Sequence, residues 1–260
     1  MTYLNSEVFY RKLPVGSCRL IALPPRAMAV AVERGEMVAG PLPTAEVFRL
    51  GDTVRSLGNL GVASDGPAKS VLLFSHVPVD ELGGKRIAVT SHTATSIQLL
   101  RILFAERWVV SGHEFVETDE THDAALWIGD PALERRSSNQ YAYQYDLGTA
   151  WKELTGLPFV FAEWVIRTDV PREQADRLER LLVKATREGM SSFDEISRAR
   201  ASRAMPESDV ADYVRNFTYF LGPKERKGQQ DFKLKLDTLP AWRPSAPENR
   251  TAKREVIPAP

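Results

Sequence analysis

Residues 86–96, RIAVTSHTATS, place four hydroxyl side chains in one turn between an apolar β-like run and the helical pattern IQLLRILF. The hydroxyls belong to Ser91, Thr93, Thr95 and Ser96. The first N–H groups of a helix have no acceptor within the helix, and the helix dipole is positive at this end. One Ser or Thr here would simply cap the helix, but four hydroxyls exceed what capping requires. The turn therefore predicts an anion-binding site.

A second turn with donor groups precedes the apolar run SVLLF, in the segment GVASDGPAKSVLLFS. Gly66 permits a ligand to approach the backbone closely, and Ser64, Ser70 and Lys69 carry groups that can donate to a carboxylate or phosphate. Turns are rich in Gly, Ser and Asp whether or not they bind a ligand, so this turn alone is weak evidence. Two such turns in one chain favour a ligand with two anionic groups.

Composition narrows the class of protein. The chain has 260 residues and is 43% hydrophobic, which suffices for one large domain or two compact lobes. Lys plus Arg equals Asp plus Glu at 34 each, so no basic field attracts nucleic acid or a membrane surface. Cys18 is the single cysteine, and His76, His113 and His122 have no partners at metal-ligand spacing. We expect no metal, no nucleic-acid partner and no membrane partner.

The sequence contains no apolar stretch long enough to span a bilayer, and MTYLNSEVFYRKL lacks the apolar core of a secretory signal. We therefore expect a cytoplasmic protein. The sequence does not indicate its oligomeric state.

Apolar β-like runs alternate with helical patterns through the first two thirds of the chain, which predicts an α/β protein with largely parallel sheets. After Asp169 the pattern becomes helical, first in PREQADRLERLLVKATREG and later in SSFDEISRARASR and ESDVADYVRNFTYFLG. The segment KERKGQQDFKLKL fits either a strand or a short helix. Residues 240–260 are rich in proline and predict a disordered tail.

Two long apolar runs, SVLLFSHVPVDELGGKRIAVT and LPFVFAEWVIRTD, are interpreted as the crossings between two lobes. Residues 1–84 and 166–239 are expected to form a discontinuous first lobe, and residues 85–165 an inserted second lobe. A ligand would lie in the cleft between the lobes, where both hydroxyl-rich turns can converge.

Five motifs in order resemble the chorismate dehydratase (MqnA) family of the futalosine pathway of menaquinone biosynthesis. They are TYLNS, GVASDGPAKSVLLFS, SHTATSIQLLRIL, ALWIGDPAL and YDLGTAWKELTGLPFVFAEW, and the resemblance spans residues 2–220. It implies the two-lobed α/β fold of type II periplasmic binding proteins, with the ligand cleft between the lobes. It also implies conversion of chorismate to 3-[(1-carboxyvinyl)oxy]benzoate and water, without a cofactor. Chorismate carries two carboxylates, which agrees with two anion turns.

Carried onto this sequence, the resemblance places Asn5 nearest the chemistry, where its amide can donate to and accept from the leaving hydroxyl. Without the resemblance Asn5 would be interpreted as a turn residue. Asp130 could act as a base, cap a helix or anchor its loop, and we favour the anchor. A functional role for His92 is less favoured. The implied substrate-binding residues are Ser64, Gly66, Ser70, Ser91, Thr93, Thr95, Ser96, Ile128, Gly129 and Asp130.

Two alternatives remain open. A non-catalytic solute-binding protein for small anions would use the same fold and a similar cleft. The sister enzyme of the pathway, 1,4-dihydroxy-6-naphthoate synthase, also shares the lobes. The YLN motif and the absence of an export signal in the sequence favour the dehydratase.

Overall fold

The computed structural model describes residues 3–90, 93–136, 138, 140–203 and 205–240. The helices of this part of the chain are α1 Glu7–Tyr10, α2 Pro25–Glu33, α3 Thr44–Leu50, α4 Thr95–Glu106, α5 Asp130–Arg136, α6 Leu147–Thr155, α7 Arg172–Met190, α8 Phe193–Arg200, α9 Glu207–Arg215 and α10 Pro223–Thr238. Its strands are β1 Ala39–Pro43, β2 Val54–Ser64, β3 Val71–Ser75, β4 Arg86–Val89, β5 Glu114–Val116, β6 Ala124–Ile128, β7 Tyr143–Asp146, β8 Phe159–Arg167 and β9 Thr218–Phe220. A short 3₁₀ turn, Leu4–Ser6, precedes α1.

The described strands form two sheets. The first has the order β1-β8-β2-β9, and its neighbouring strands are all antiparallel. The second has the order β5-β4-β6-β3-β7, in which β4 runs parallel to β5 and β6, whereas β3 is antiparallel to β6 and β7. The expectation of largely parallel sheets is therefore wrong. A continuous apolar run indicates that a strand is buried on both faces, but it does not indicate whether the neighbouring strand is parallel or antiparallel.

The chain passes from the first sheet to the second between β2 and β3, and returns between α6 and β8. The lobe boundaries expected at residues 84 and 166 do not coincide with these crossings. Strand β3, placed by sequence in the first lobe, pairs in the second sheet, and β8, placed in the second lobe, is central in the first. The run from Ser70 to Thr90 forms two strands, because the polar turn between them interrupts it. The predicted tail lies outside the described residues after Pro240.

Helices cover both faces of the first sheet. Helix α7 begins after Pro171, as the sequence predicts, and buries Leu182 and Ala185 in a core that also contains Phe9, Trp164 and Tyr213. On the opposite face α2 and α3 contribute to a smaller core with β1 and β8, built from Met28, Val32, Leu42, Leu50 and Val165.

Helices α4, α6 and α10 form the core of the second sheet. Their buried side chains include Leu99, Leu103, Trp151 and Phe232, which pack against Leu126 of β6. The segment whose periodicity fitted a strand or a helix is thus part of helix α10, with Phe232 buried. The predicted helix ESDVADYVRNFTYFLG is instead split into α9 and β9. Among the described residues, no helix has the length and apolar character that crossing a membrane requires.

Candidate active-site cleft

A cleft between the two sheets contains the residues that the sequence analysis singled out most strongly. The cleft encloses about 570 Å³ of space between atoms, a volume that includes open solvent, and it lies between two lobes, where small-molecule sites commonly occur. The lining residues are Tyr3, Asn5, Pro25, Pro43, Val62, Ser70, Val71, Thr93, Ala94, Thr95, Ser96, Ile128, Gly129, Phe161, Ala162 and Phe217. None of these described residues is charged at neutral pH, so hydroxyls, amides and backbone dipoles supply the polarity of the cleft.

The start of α4 faces this cleft. Thr93, Thr95 and Ser96 line it, and no side chain of a described residue caps the helix, which is 12 residues long. The Oγ1 atom of Thr93 is buried and has no hydrogen-bond partner among the described residues. Thr95 Oγ1 accepts the N–H of Ala45 at 3.1 Å. The helix N-terminus and the Thr93 hydroxyl are therefore available to an anion. Ser91 and His92 lie outside the described residues.

The other predicted anion turn, at residues 64–70, does hold a carboxylate, but this carboxylate belongs to the chain itself. Asp146 accepts the N–H groups of Ala68 at 2.9 Å and Lys69 at 2.6 Å. The same side chain caps α6 by accepting the N–H groups of Gly148 at 2.9 Å and Thr149 at 3.1 Å. The backbone N–H groups of Ala68 and Lys69 are thus occupied from within the fold.

Ser64 and Gly66 do not line the cleft. The Oγ of Ser64, which is 1% exposed, donates to the carbonyl of Gly66 at 2.9 Å. The Lys69 ammonium pairs with Asp212. Ser70 is the residue of this turn that reaches the cleft, where its hydroxyl lies 2.7 Å from the phenol oxygen of Tyr213.

Asn5 and Tyr3 approach the cleft from the amino-terminal turn. Asn5 is half-buried, and its Oδ1 accepts the hydroxyl of Ser6 at 3.2 Å. Tyr3 was not selected from the sequence, although it stands beside Asn5 in the TYLNS motif. Burial and the nearby charge of Asp130 raise the pKa of Tyr3, so the phenol stays protonated at neutral pH.

The IGD motif at the end of β6 contributes a wall and an anchor. Ile128 and Gly129 line the cleft, whereas Asp130 lies behind it. Asp130 Oδ1 accepts the N–H of Leu4 at 3.0 Å, and its Oδ2 accepts Nη2 of Arg200 at 3.1 Å. Burial raises the pKa of Asp130, and the partners on Leu4 and Arg200 oppose this increase. These contacts correspond to the role of loop anchor.

The apolar wall of the cleft was not anticipated. Val62, Phe161 and Phe217 supply much of it, and as ordinary apolar residues of β-like or helical runs they carry no sequence signal for a ligand. Trp151 and Trp164 are buried in the two cores and do not line the cleft. In the part of the chain that is described, no group of three His, Cys, Asp or Glu side chains could hold a metal ion.

The chain forms two lobes, which are joined by the two crossings and have a cleft with polar groups between their sheets. This arrangement defines the class of type II periplasmic-binding-protein-like folds. The aliphatic sulphonate binding protein SsuA of Escherichia coli has this fold, with a TM-score of 0.54 and 16% identity over 83% of this chain and 80% of its own. The alkanesulfonate-binding protein SsuA of Xanthomonas axonopodis pv. citri, bound to MOPS, gives a TM-score of 0.53 at 17% identity, over 84% and 82%. Protein AF1704 of Archaeoglobus fulgidus gives a TM-score of 0.70 at 18% identity, over 90% and 94%.

Within this class, the chain belongs to the menaquinone biosynthesis family, whose model matches residues 1–236. It is 28% identical over 250 residues to the chorismate dehydratase of Thermus thermophilus, and the alignment covers 88% of this chain and 91% of that relative. The family resemblance drawn from the five motifs is thereby confirmed.

Proposed function

We propose that the protein is a chorismate dehydratase, a hydro-lyase that converts chorismate to 3-[(1-carboxyvinyl)oxy]benzoate and water. The observation that carries the proposal is the N-terminus of α4, which no described side chain caps, together with the buried Thr93 hydroxyl, which has no hydrogen-bond partner among the described residues; both line the same cleft as Asn5. The similarity to the Thermus thermophilus dehydratase supports it. A cytoplasmic location stays a prediction.

One carboxylate of chorismate is assigned to the start of α4, where Thr93 and the first helical N–H groups donate. Because Asp146 occupies the donors of the other turn, the second carboxylate subsite is reduced to Ser70 and the neighbouring polar groups of the cleft. Phe161, Val62 and Phe217 provide apolar surface for the ring between the two ends. Ser64 and Gly66 act on this subsite only by shaping its turn.

Asn5 is assigned to the leaving hydroxyl, to which its amide can donate a hydrogen bond. Loss of this hydroxyl with the neighbouring ring proton produces an aromatic ring, so the enzyme mainly has to orient the substrate and assist departure. Among the described lining residues no ionised base is present, and the Asp130 carboxylate is engaged by Leu4 and Arg200. The enolpyruvyl carboxylate of the substrate is therefore assigned to take the proton, and its basicity rises as the cleft excludes water.

The direct test incubates purified protein with chorismate and follows the aromatic product by chromatography and ultraviolet absorption. Chorismate bound but recovered unchanged would favour a solute-binding protein. Neither binding nor turnover of chorismate would favour the sister synthase.

A chorismate analogue that lacks the enolpyruvyl carboxylate and keeps the ring carboxylate tests the assignment of the base. We expect its dehydration to be slower by about 10²–10⁴-fold, the usual effect of losing a general base. Dehydration at the normal rate would transfer the role to a protein side chain.

A further inference from the structure

Tyr213 of α9 lies behind the cleft wall and contacts a residue that lines the cleft. It is 1% exposed, and its phenol oxygen lies 2.7 Å from Oγ of Ser70. Ser70 directly precedes β3 of the second sheet, whereas Tyr213 belongs to the core of the first sheet, so this contact joins the two lobes at the cleft.

Burial raises the pKa of Tyr213, so its phenol keeps its proton at neutral pH. Phenol and serine hydroxyls can each donate or accept, and either oxygen of this pair can be the donor. In both directions the hydrogen bond fixes the position of the Ser70 oxygen at the cleft.

We propose that Tyr213 is a positioning residue, whose hydrogen bond to Ser70 holds that hydroxyl in place for the substrate. Tyr213 does not line the cleft itself and acts through Ser70. This inference rests on the proposed dehydratase function for its kinetic consequences.

The chain offers a matched control for the loss of one buried phenol. Tyr219 is also 1% exposed and belongs to the same core, but its hydroxyl donates to the carbonyl of Val214 at 2.9 Å, away from the cleft. In Tyr213→Phe the ring remains, and its edge-on packing against Phe217 at 5.1 Å between centroids is preserved. Both Phe variants therefore remove one hydroxyl from one core.

Steady-state kinetics with chorismate compare the two variants. We expect Tyr213→Phe to lower kcat about tenfold or more, and Tyr219→Phe to change kcat by less than about threefold, while both lose similar thermal stability. Equal kcat values for the two variants would overturn the proposal.

A double-mutant cycle separates positioning from a general loss of stability. If Tyr213 acts through Ser70, the combined variant Tyr213→Phe with Ser70→Ala loses clearly less than the product of the two single losses. Independent, multiplying losses would contradict the proposal.

A spectroscopic readout tests the same contact without any turnover, and so separates this inference from the proposed function. The ring resonances of Tyr213 and Tyr219 are assigned by their disappearance in Tyr213→Phe and Tyr219→Phe. We expect those of Tyr213 to shift in Ser70→Ala and those of Tyr219 to stay in place. Unmoved Tyr213 resonances in Ser70→Ala would refute the positioning role even if chorismate is the substrate, whereas an inactive wild type with shifted resonances would refute only the dehydratase.

Discussion

The buried hydroxyl of Thr93 is the most informative single group in the cleft. A buried polar group without a partner costs about 1–3 kcal/mol, and Thr93 Oγ1 has no partner among the described residues. A ligand that accepts this hydrogen bond removes the cost. The hydroxyl thus lowers the stability of the free protein and favours binding of an anion.

Thr93→Val should therefore change stability and binding in opposite directions. We expect the free energy of unfolding of the ligand-free protein to rise by about 1 kcal/mol, because the unsatisfied hydroxyl is removed. We expect KM for chorismate to rise about tenfold or more, since a hydrogen bond to a charged group is worth about 1.5–3 kcal/mol. Urea unfolding and steady-state kinetics measure the two effects.

Thr44→Val is the control for Thr93→Val. Thr44 is fully buried, but its hydroxyl donates to the carbonyl of Val160 at 2.7 Å. This variant should lose about 1 kcal/mol of stability where Thr93→Val gains. If both variants were destabilised alike, the Thr93 hydroxyl would have a partner in solution and its assignment to the ligand would be wrong.

Asn5→Ala tests the residue assigned to the leaving hydroxyl. The carboxylates are assigned to other groups, so we expect most turnover to be lost while chorismate binding, measured by calorimetry, changes little. A kcat equal to that of the wild type would remove Asn5 from the chemistry.

At the residue scale, sequence predicted the site where local chemistry alone determines it. Thr93, Thr95 and Ser96 line the cleft because a helix start must present its first N–H groups and hydroxyls on one side. Ser64 and Gly66 do not line it, because Asp146 satisfies their turn from a strand much later in the sequence. Such a partner is determined by the tertiary fold and leaves no local pattern.

At the element scale, the β6–α5 junction depends on Gly129. Its φ of +64° lies in the left-handed region, and an added Cβ would come within 2.8 Å of the Tyr3 ring. The junction therefore fixes both the direction of the chain into α5 and the position of the Tyr3 ring beside the cleft.

Gly129→Ala should lower both stability and turnover. The strained φ costs about 1 kcal/mol, and displacement of Tyr3 adds to it and disturbs the turn that carries Asn5. The control is Gly84→Ala, where φ is +71° and no atom of another described residue beyond the two chain neighbours lies within 4 Å of the added Cβ. We expect thermal unfolding to be similarly affected by the strain in both, and kcat to fall only in Gly129→Ala. An equal kcat would show that the Tyr3 contact does not matter.

The helices were more predictable from sequence than the sheets. Helix α7 has one apolar face and one charged face, and this pattern within its own sequence predicts how it packs. Its start after Pro171 also follows from the sequence. The order of strands in the sheets does not follow from the sequence, because β3 and β8 pair with strands that are distant in sequence. An apolar run also looks the same whether the strand it forms has parallel or antiparallel neighbours. The misplaced lobe boundaries follow from this.

At the scale of the whole molecule, a few polar contacts join the lobes. Asp130 of α5 binds Leu4 and Arg200, and Asn216 donates to the carbonyl of Pro67 at 2.7 Å. The contact between Ser70 and Tyr213 joins the lobes as well. These links hold the amino-terminal turn, and with it Asn5, against the second lobe.

Asp130→Asn tests this link through the pH dependence of stability. Burial is the main cause that raises the pKa of Asp130 above its ordinary value of 3.8. At pH values between 3.8 and the raised pKa, the folded state binds more protons than the unfolded state. The stability that the protonated carboxyl supplies is therefore present at low pH and is lost as the pH rises. The free energy of unfolding of the wild type should therefore fall relative to Asp130→Asn across this interval, and the difference should level off above the raised pKa.

Urea unfolding at a series of pH values measures this difference, and Glu33→Gln provides a control of opposite sign, because Arg49 lowers the pKa of Glu33.

The amide introduced by Asp130→Asn keeps an oxygen that can accept from Leu4, so the turn that carries Asn5 should stay in place. Turnover should then remain within about a thousandfold of the wild type, since loss of a true general base costs typically about 10²–10⁴ and Asp130 is assigned as an anchor. A flat pH difference would show that the carboxylate is solvated between the lobes. A loss of turnover beyond that range with unchanged stability would make Asp130 the base, because the anchor would then be intact while the chemistry is lost.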